Sequence, residues 1–286
     1  MTKSTFSFPT RLIIKFRQSR FTNSNSYPFL SGEAFKSICD IAINNESDLD
    51  VFAKQDNGCQ LIFCCSELAL EITKLRIEST PGRTLIMGNS DFEFTNLNQI
   101  PQHGFERFYL QNSLISNERN IFTLPIGVEN LSIGINGIPS NLKFIKHRSA
   151  RSSKVMVGPF SPTHQEREEL LKIAKFETKV FDIIKTSLSP GKFALVMNDY
   201  NYVACPRGNG VDTHRFWEAL YRGCIPIVIA SNWSASIRYL DLPFIEVADW
   251  SDVDDAIHSF ISRNTPRLPS DIESLWMPYW NNLLRD

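Results

Sequence analysis

No run in this sequence approaches the roughly 20 consecutive apolar residues that a membrane-spanning helix needs, so no transmembrane segment is expected. The opening stretch, MTKSTFSFPTRLIIKF, lacks the apolar core and small-residue cleavage site of a secretory signal, and the expected location is the cytoplasm. No charge of one sign dominates: Lys and Arg number 30 against 31 Asp and Glu, a formal net charge of -1 at pH 7. Nucleic-acid binders usually carry a marked basic excess, so a nucleic-acid partner is not expected. The six cysteines form no CxxC pair and mostly sit in apolar runs, where they read as small buried hydrophobes. The five histidines show no metal-ligand spacing, so neither a metal nor a bound cofactor is expected. GxGxxG is also absent, which argues against a nucleotide-dependent oxidoreductase.

What is present is the composition of a packed α/β protein: 286 residues, 42% hydrophobic and 21% charged, enough for two modest domains. In the first half, short apolar runs at residues 11 to 16, 60 to 65, 84 to 87, 108 to 110 and 121 to 124 predict strands buried on both faces. Between the first two, Ala34, Phe35, Ile38, Ile41 and Ala42 recur at helical spacing and predict a helix over residues 32 to 44. A second rhythm predicts strands at 154 to 160, 202 to 205 and 225 to 230, and helices at 163 to 176, 212 to 222 and 253 to 263. The expected division is a first domain over 1 to 135, a linker over 136 to 153 and a second domain over 154 to 268. A terminal segment, 269 to 286, carries Leu275, Trp276, Tyr279, Trp280 and Leu283 and is expected to dock on something apolar. The region of the linker also holds Lys143, Lys146, His147, Arg148, Arg151 and Lys154. These read either as a solvated basic connector or as a contact for an anionic acceptor or membrane surface. Two parallel sheets in series open the carboxyl ends of their strands on a shared cleft, where ligands of such sheets bind.

The segment richest in chemistry lies between residues 202 and 230. Pro206, Arg207, Gly208, Asn209 and Gly210 follow a strand and precede a helix, so glycines permit close backbone approach beside free helix N–H groups. That suits a diphosphate, with Arg207 and Arg215 supplying guanidinium forks and Glu218, one turn on, accepting from a ribose. The plainer reading is a tight turn, with Asp212 or Thr213 capping the helix and Arg215 and Glu218 forming a surface pair. Against it, both charges are interleaved with Phe216, Trp217, Ala219 and Leu220, so one of them sits near a buried boundary.

The string GVDTHRFWEALYRGCIPIVIASNW resembles the donor-site signature of exostosin-like glycosyltransferases, a GT-B family. Arg215, Glu218, Ala219, Leu220, Gly223, Cys224, Ile225, Pro226, Ser231 and Asn232 carry the match. Two further loops are similar to those of bacterial polysaccharide glycosyltransferases. One runs from Val157 to His164 and on to Arg167, aiming Ser161, Thr163 and Arg167 at phosphates or else only capping a helix. The other is Gly88-Asn89-Ser90-Asp91, where Gly88 stands in place of the relatives' histidine. Gln111-Asn112 and the run from Pro125 to Glu129 and Asn130 resemble loops lining the domain cleft, and singly each reads as turn chemistry. The resemblance implies a GT-B-like fold of two Rossmann-like domains with a C-terminal helix crossing back to the first. It also implies metal-independent, inverting transfer from a UDP-sugar held by the second domain.

Inverting transfer needs a group that takes the acceptor's proton. Asp91, at the end of a strand and loop facing the cleft, is the first candidate, and Glu33, at the start of the first helix, is the second; each also reads as turn or helix-opening chemistry. His147 and His214 read as structural or peripheral. The expected partners are the UDP-sugar and a saccharide or lipid-linked saccharide acceptor, with peripheral contact at the inner face of a membrane. A nucleotide- or carbohydrate-binding module without turnover is the rival from another class.

Overall fold

The computed structural model describes residues 26–54, 58–116, 118–134, 137–142, 145–186, 188–265 and 267–285. The strand expected over residues 11 to 16 lies outside them, as does Lys143 of the basic cluster.

The described chain forms two five-stranded parallel sheets. The first contains β1 (Ile41–Ile43), β2 (Leu61–Cys65), β3 (Thr84–Gly88), β4 (Arg107–Leu110) and β5 (Ile121–Thr123), lying side by side in sequence order. Its central strands, LIFCC and TLIMG, are buried almost throughout, as strands covered on both faces must be. The second contains β6 (Ser152–Val157), β7 (Phe181–Ile183), β8 (Tyr200–Ala204), β9 (Ile225–Ile229) and β10 (Ile245–Val247). Here the order is β7-β6-β8-β9-β10, so the winding reverses between β6 and β8. A reversal of that kind leaves a crevice beyond the strand ends, because consecutive connections depart to opposite sides.

The helix expected over residues 32 to 44 is shorter. α1 (Gly32–Ser37) starts from Ser31, whose Oγ accepts from Ala34 N at 3.1 Å. After it, Asp40 N donates to Leu61 O at 2.8 Å and its carboxylate accepts from Leu61 N at 3.0 Å. Those bonds draw Ile41 and Ala42 into β1 beside Ile62 and Phe63, so ladder pairing overrides the helical spacing. Further helices are α2 (Glu46–Lys54), α3 (Ala69–Ile72), α4 (Gln165–Phe176), α5 (Pro190–Met197), α6 (His214–Tyr221), α7 (Asn232–Ser236), α8 (Val253–Arg263) and α9 (Met277–Leu283).

The terminal segment crosses back to the first sheet, as expected. Trp280 of α9 packs edge-on against Phe35 of α1 at 5.4 Å between ring centroids and against Tyr109 of β4 at 6.2 Å. Trp276 meets Phe29 at 5.3 Å and Tyr221 at 5.5 Å. The buried Tyr221 hydroxyl accepts from Leu30 N at 2.9 Å and donates to Leu275 O at 2.6 Å, tying the segments at Leu30 and Leu275 to α6. One apolar cluster therefore spans both sheets, and two more lie on their far sides. Two parallel α/β sheets opposed across a cleft, with a terminal helix returning to the first, form the GT-B-like arrangement.

The basic connector is not simply solvated. Arg151 is 8% exposed, and its guanidinium donates to Lys146 O, at 2.6 and 2.8 Å, and to Arg222 O at 2.8 Å. It closes the carboxyl end of α6, where a cation is favoured by the helix dipole, and is therefore unavailable to an acceptor or a membrane.

Candidate active site at the cleft

Loops leaving β6, β7 and β8 surround a cavity of about 420 Å³ at the reversal point, within the 300–1,000 Å³ usual for ligand sites. The first sheet closes it through Asp91, after β3, and Ile126, after β5. Of the donor residues expected from sequence, Ser161, Thr163, Arg167, Gly208, Asn209, Gly210, Asp212, Thr213, Arg215 and Glu218 all line this cavity.

Arg167 and Arg215 dominate its electrostatics. Arg167 donates through Nε to Arg207 O and through Nη1 to Ser161 O, both at 2.9 Å, and lies over the Phe160 ring at 5.6 Å. Arg215 lies over Phe160 at 5.1 Å and Phe193 at 4.6 Å, and donates to Pro159 O at 3.1 Å. The aromatic faces and carbonyls hold the two guanidinium planes without neutralising them. Burial pushes both below the ordinary arginine range, and the charge of Arg215 lowers Arg167 further. Glu218 opposes that shift in Arg215. It is 7% exposed, and its carboxylate makes no hydrogen bond among the described residues, so it opens on the cavity as a free acceptor.

Several expected roles change. Arg207 does not line this cavity: its guanidinium pairs with Glu93 of the first half, and its carbonyl holds Arg167. The glycines serve the protein's own side chains, because a Cβ on Gly208 would stand 2.6 Å from Arg167 Nη2 and one on Gly210 2.6 Å from the Asn112 amide. Thr213 is the residue preceding α6, yet neither it nor Asp212 caps the helix with a side-chain bond. Asp212 is instead buried, accepting from Ile126 N and Trp217 Nε1, both at 2.8 Å. Burial raises its carboxyl to about 7 against the pull of those donors and of Thr213 N–H. At α4 the capping residue is His164, whose Nδ1 accepts from Glu166 N at 3.2 Å, while Ser161 and Thr163 stay on the cavity wall.

The expected cleft residues of the first half bond mainly to one another. Gln111 accepts from Asn89 N at 3.0 Å and donates to Ser90 O at 2.9 Å. Asn130 accepts from Glu33 N and donates to Asn89 Oδ1, both at 2.9 Å. Asn112 donates to Ser90 O and accepts from Asp212 N at 3.0 Å, latching the two halves. Asn89 and Asn112 adopt φ of 61° and 55°, a left-handed conformation that asparagine tolerates. Glu129 packs against the turn at Gly134 and Gly137. None of Asn89, Gln111, Asn112, Glu129, Asn130 or Glu33 lines the cavity. A side chain at Gly88 would be crowded, since a Cβ would meet Gln111 Oε1 at 3.1 Å and Leu124 Cδ2 at 3.2 Å.

Asp91 differs from these neighbours. It is exposed on the cavity wall, with one oxygen accepting from Asn209 Nδ2 at 3.0 Å across the cleft. Sequence reasoning passed over Phe193 and read His214 as structural or peripheral, yet both line the cavity. Ser189-Pro190 followed by Phe193, Ala194 and Met197 carried a legible helix start and spacing. His214 lines the cavity, and its Nδ1 lies 2.8 Å from Gly127 O of the first half.

The fold and site together define an α/β protein of two parallel sheets with a cationic, carboxylate-bearing crevice at the topological reversal of the second. No protein-family model matches the chain. Over 56 residues, 20% of this chain, it is 32% identical to Exostosin-1b of Danio rerio, and the match spans 7% of that protein's length. Among solved structures, an alpha1,3-fucosyltransferase aligns over 82% of this chain and 79% of its own, at 12% identity and a TM-score of 0.40.

Proposed function

We propose that this chain is a glycosyltransferase that moves a sugar from a nucleotide-sugar donor, with inversion, to a saccharide or lipid-linked saccharide acceptor. The reading rests on one observation: Arg167 and Arg215 share the Phe160 ring in a crevice whose free carboxylate, Glu218, lies one turn beyond Arg215. A diphosphate supplies the counter-charge that the two guanidiniums lack, and a ribose supplies the hydroxyls that Glu218 can accept. The phosphates also meet the amino end of α6, favoured by its dipole. UDP is the preferred nucleotide on the exostosin-like pattern around Arg215 and Glu218, and polysaccharide or glycoconjugate synthesis is the setting that pattern suggests.

In the reaction, an acceptor hydroxyl attacks the anomeric carbon from the first-domain side while the bond to the diphosphate oxygen breaks. Asp91 takes the hydroxyl proton through the carboxylate oxygen that Asn209 leaves free. The departing diphosphate keeps the bonding electron pair and is stabilised by Arg167 and Arg215, an arrangement already charged and oriented before the reaction. Glu33, the other candidate base, has less support because it stands off the cavity wall.

The test is calorimetric titration of UDP, GDP, ADP and NAD, followed by a transfer screen over the sugars of whichever nucleotide binds. UDP binding with turnover is the expected result; GDP preference would correct the donor, and NAD preference would end the transferase reading. A binding module without turnover draws on Gly88, where the resembled loop carries histidine. Tight nucleotide binding with neither transfer nor hydrolysis of any donor would favour it.

A further inference from the structure

Resting on the donor reading above, we propose that His214 is a proton-linked ligand of the diphosphate, taking up a proton as the donor binds and presenting it at Nε2 to a phosphate oxygen. His214 opens α6 and lines the cavity beside Arg215. Its Nδ1 is 2.8 Å from the Gly127 carbonyl, and a carbonyl oxygen only accepts, so Nδ1 carries the hydrogen in every protonation state. Proton exchange is thereby confined to Nε2, which has no partner among the described residues.

The groups facing the ring give the linkage its sign. Arg215 on α6 and Arg167 on α4 are both cationic, and the amino end of α6 adds partial positive charge. Of the carboxylates on the same wall, Asp212 is engaged by Ile126 N and Trp217 Nε1, and Asp91 by Asn209. Glu218 lies a turn further along α6 and faces Arg215 and Arg222. A diphosphate bound beside these cations brings negative charge to the ring and favours a proton on Nε2.

Geometry separates this role from that of a base. In an inverting displacement the base attends the attacking oxygen and the leaving group departs from the opposite face. His214 stands at the amino end of α6 with the phosphate-facing cations; Asp91 stands on the first-domain wall. The bond to Gly127 also joins the donor helix to the first half, so the charge on this ring responds at the seam between the domains.

The probes are UDP-glucose and GDP-mannose, whose phosphates hold no proton that titrates near neutrality. Each is titrated calorimetrically between pH 6 and 8 in two non-phosphate buffers of different ionisation enthalpy. The expected result is uptake of about one proton per bound probe at the upper end of this range, with affinity falling by up to about tenfold per pH unit there. His214→Asn keeps an amide N–H for the Gly127 carbonyl and lacks Nε2, so it should bind with little pH dependence and no uptake. Histidine ¹⁵N resonances of the wild-type protein give a reading that needs no folded variant: one imidazole should move toward the protonated form when probe is added. Binding without uptake, or uptake retained in His214→Asn, overturns the inference and leaves the donor reading intact; uptake retained in the variant makes Asp212 the group that takes up the proton. Failure of both probes to bind the wild-type protein overturns the two together.

Discussion

Both halves of the molecule place polar residues on loops leaving the carboxyl ends of parallel strands, and the two sets meet different fates. In the first half, Asn89, Gln111, Asn112 and Asn130 bond to one another, to backbone or across the seam. In the second, the guanidiniums of Arg167 and Arg215 are held by carbonyls and rings, with Glu218 left open. Strand order accounts for part of this. The described strands of the first sheet follow one another without reversal, so their loops lie close enough to bond together. The second sheet reverses between β6 and β8 and leaves a gap there. Polar residues at strand ends therefore mark a ligand site only where the winding parts the loops.

The sharpest way to break this comparison is its one exception, Asp91. Asp91→Asn should lower turnover by about 10²–10⁴-fold, the usual range for loss of a general base, while donor affinity measured by calorimetry barely changes. Normal turnover would return the whole first half to scaffolding. Arg215→Ala should weaken UDP binding by about 1.5–3 kcal/mol, roughly ten- to a hundredfold, with the fold retained by circular dichroism. Unchanged affinity would remove Arg215 from the site and with it the contrast between the halves.

Asn112→Ala tests the scaffold side. It strands the buried Asp212 N–H and should cost about 1–3 kcal/mol in a denaturant titration. The carboxyl of Asp212 sets a pH-dependent effect. Its folded value, raised to about 7, lies above the unfolded value, so its contribution to stability is full below about pH 4 and is lost as pH rises toward 7. Melting temperatures across pH 4 to 8 should carry this decline, and those of Asp212→Asn should not. The least effect expected is that of a chelator. Transfer should survive EDTA, since charge at the diphosphate is handled by arginines; loss restored by manganese or magnesium would refute that assignment.

How far the sequence could be read follows the same division. Arg215 and Glu218 were legible because charged residues interleaved with Phe216, Trp217 and Leu220 on a helix must meet a buried boundary. Asp212 belongs to the same string, but its engagement by Ile126 and Trp217 depends on a loop of the other half. Arg207 misled for a similar reason. Its guanidinium answers Glu93, more than a hundred residues away, and no local spacing records that pair. Ile41 and Ala42 looked helical until β2 claimed them.

Local chemistry in the chain was thus sufficient for β2 to β6, β8 and β9, the parallel sheets, the docking of Trp276 and Trp280, and the segment bearing the cationic crevice, while β7 and β10 went unread. Periodicity, glycine placement and buried charge are properties of neighbours in sequence. The tertiary structure alone decided the reversal point between β6 and β8, the latch from Asn112 to Asp212, the sealing of Arg151 against α6 and the confinement of proton exchange on His214 to Nε2. Each depends on a hydrogen-bond or ladder partner distant in the chain. Only the folded backbone determines which polar groups find such partners and which remain for a ligand.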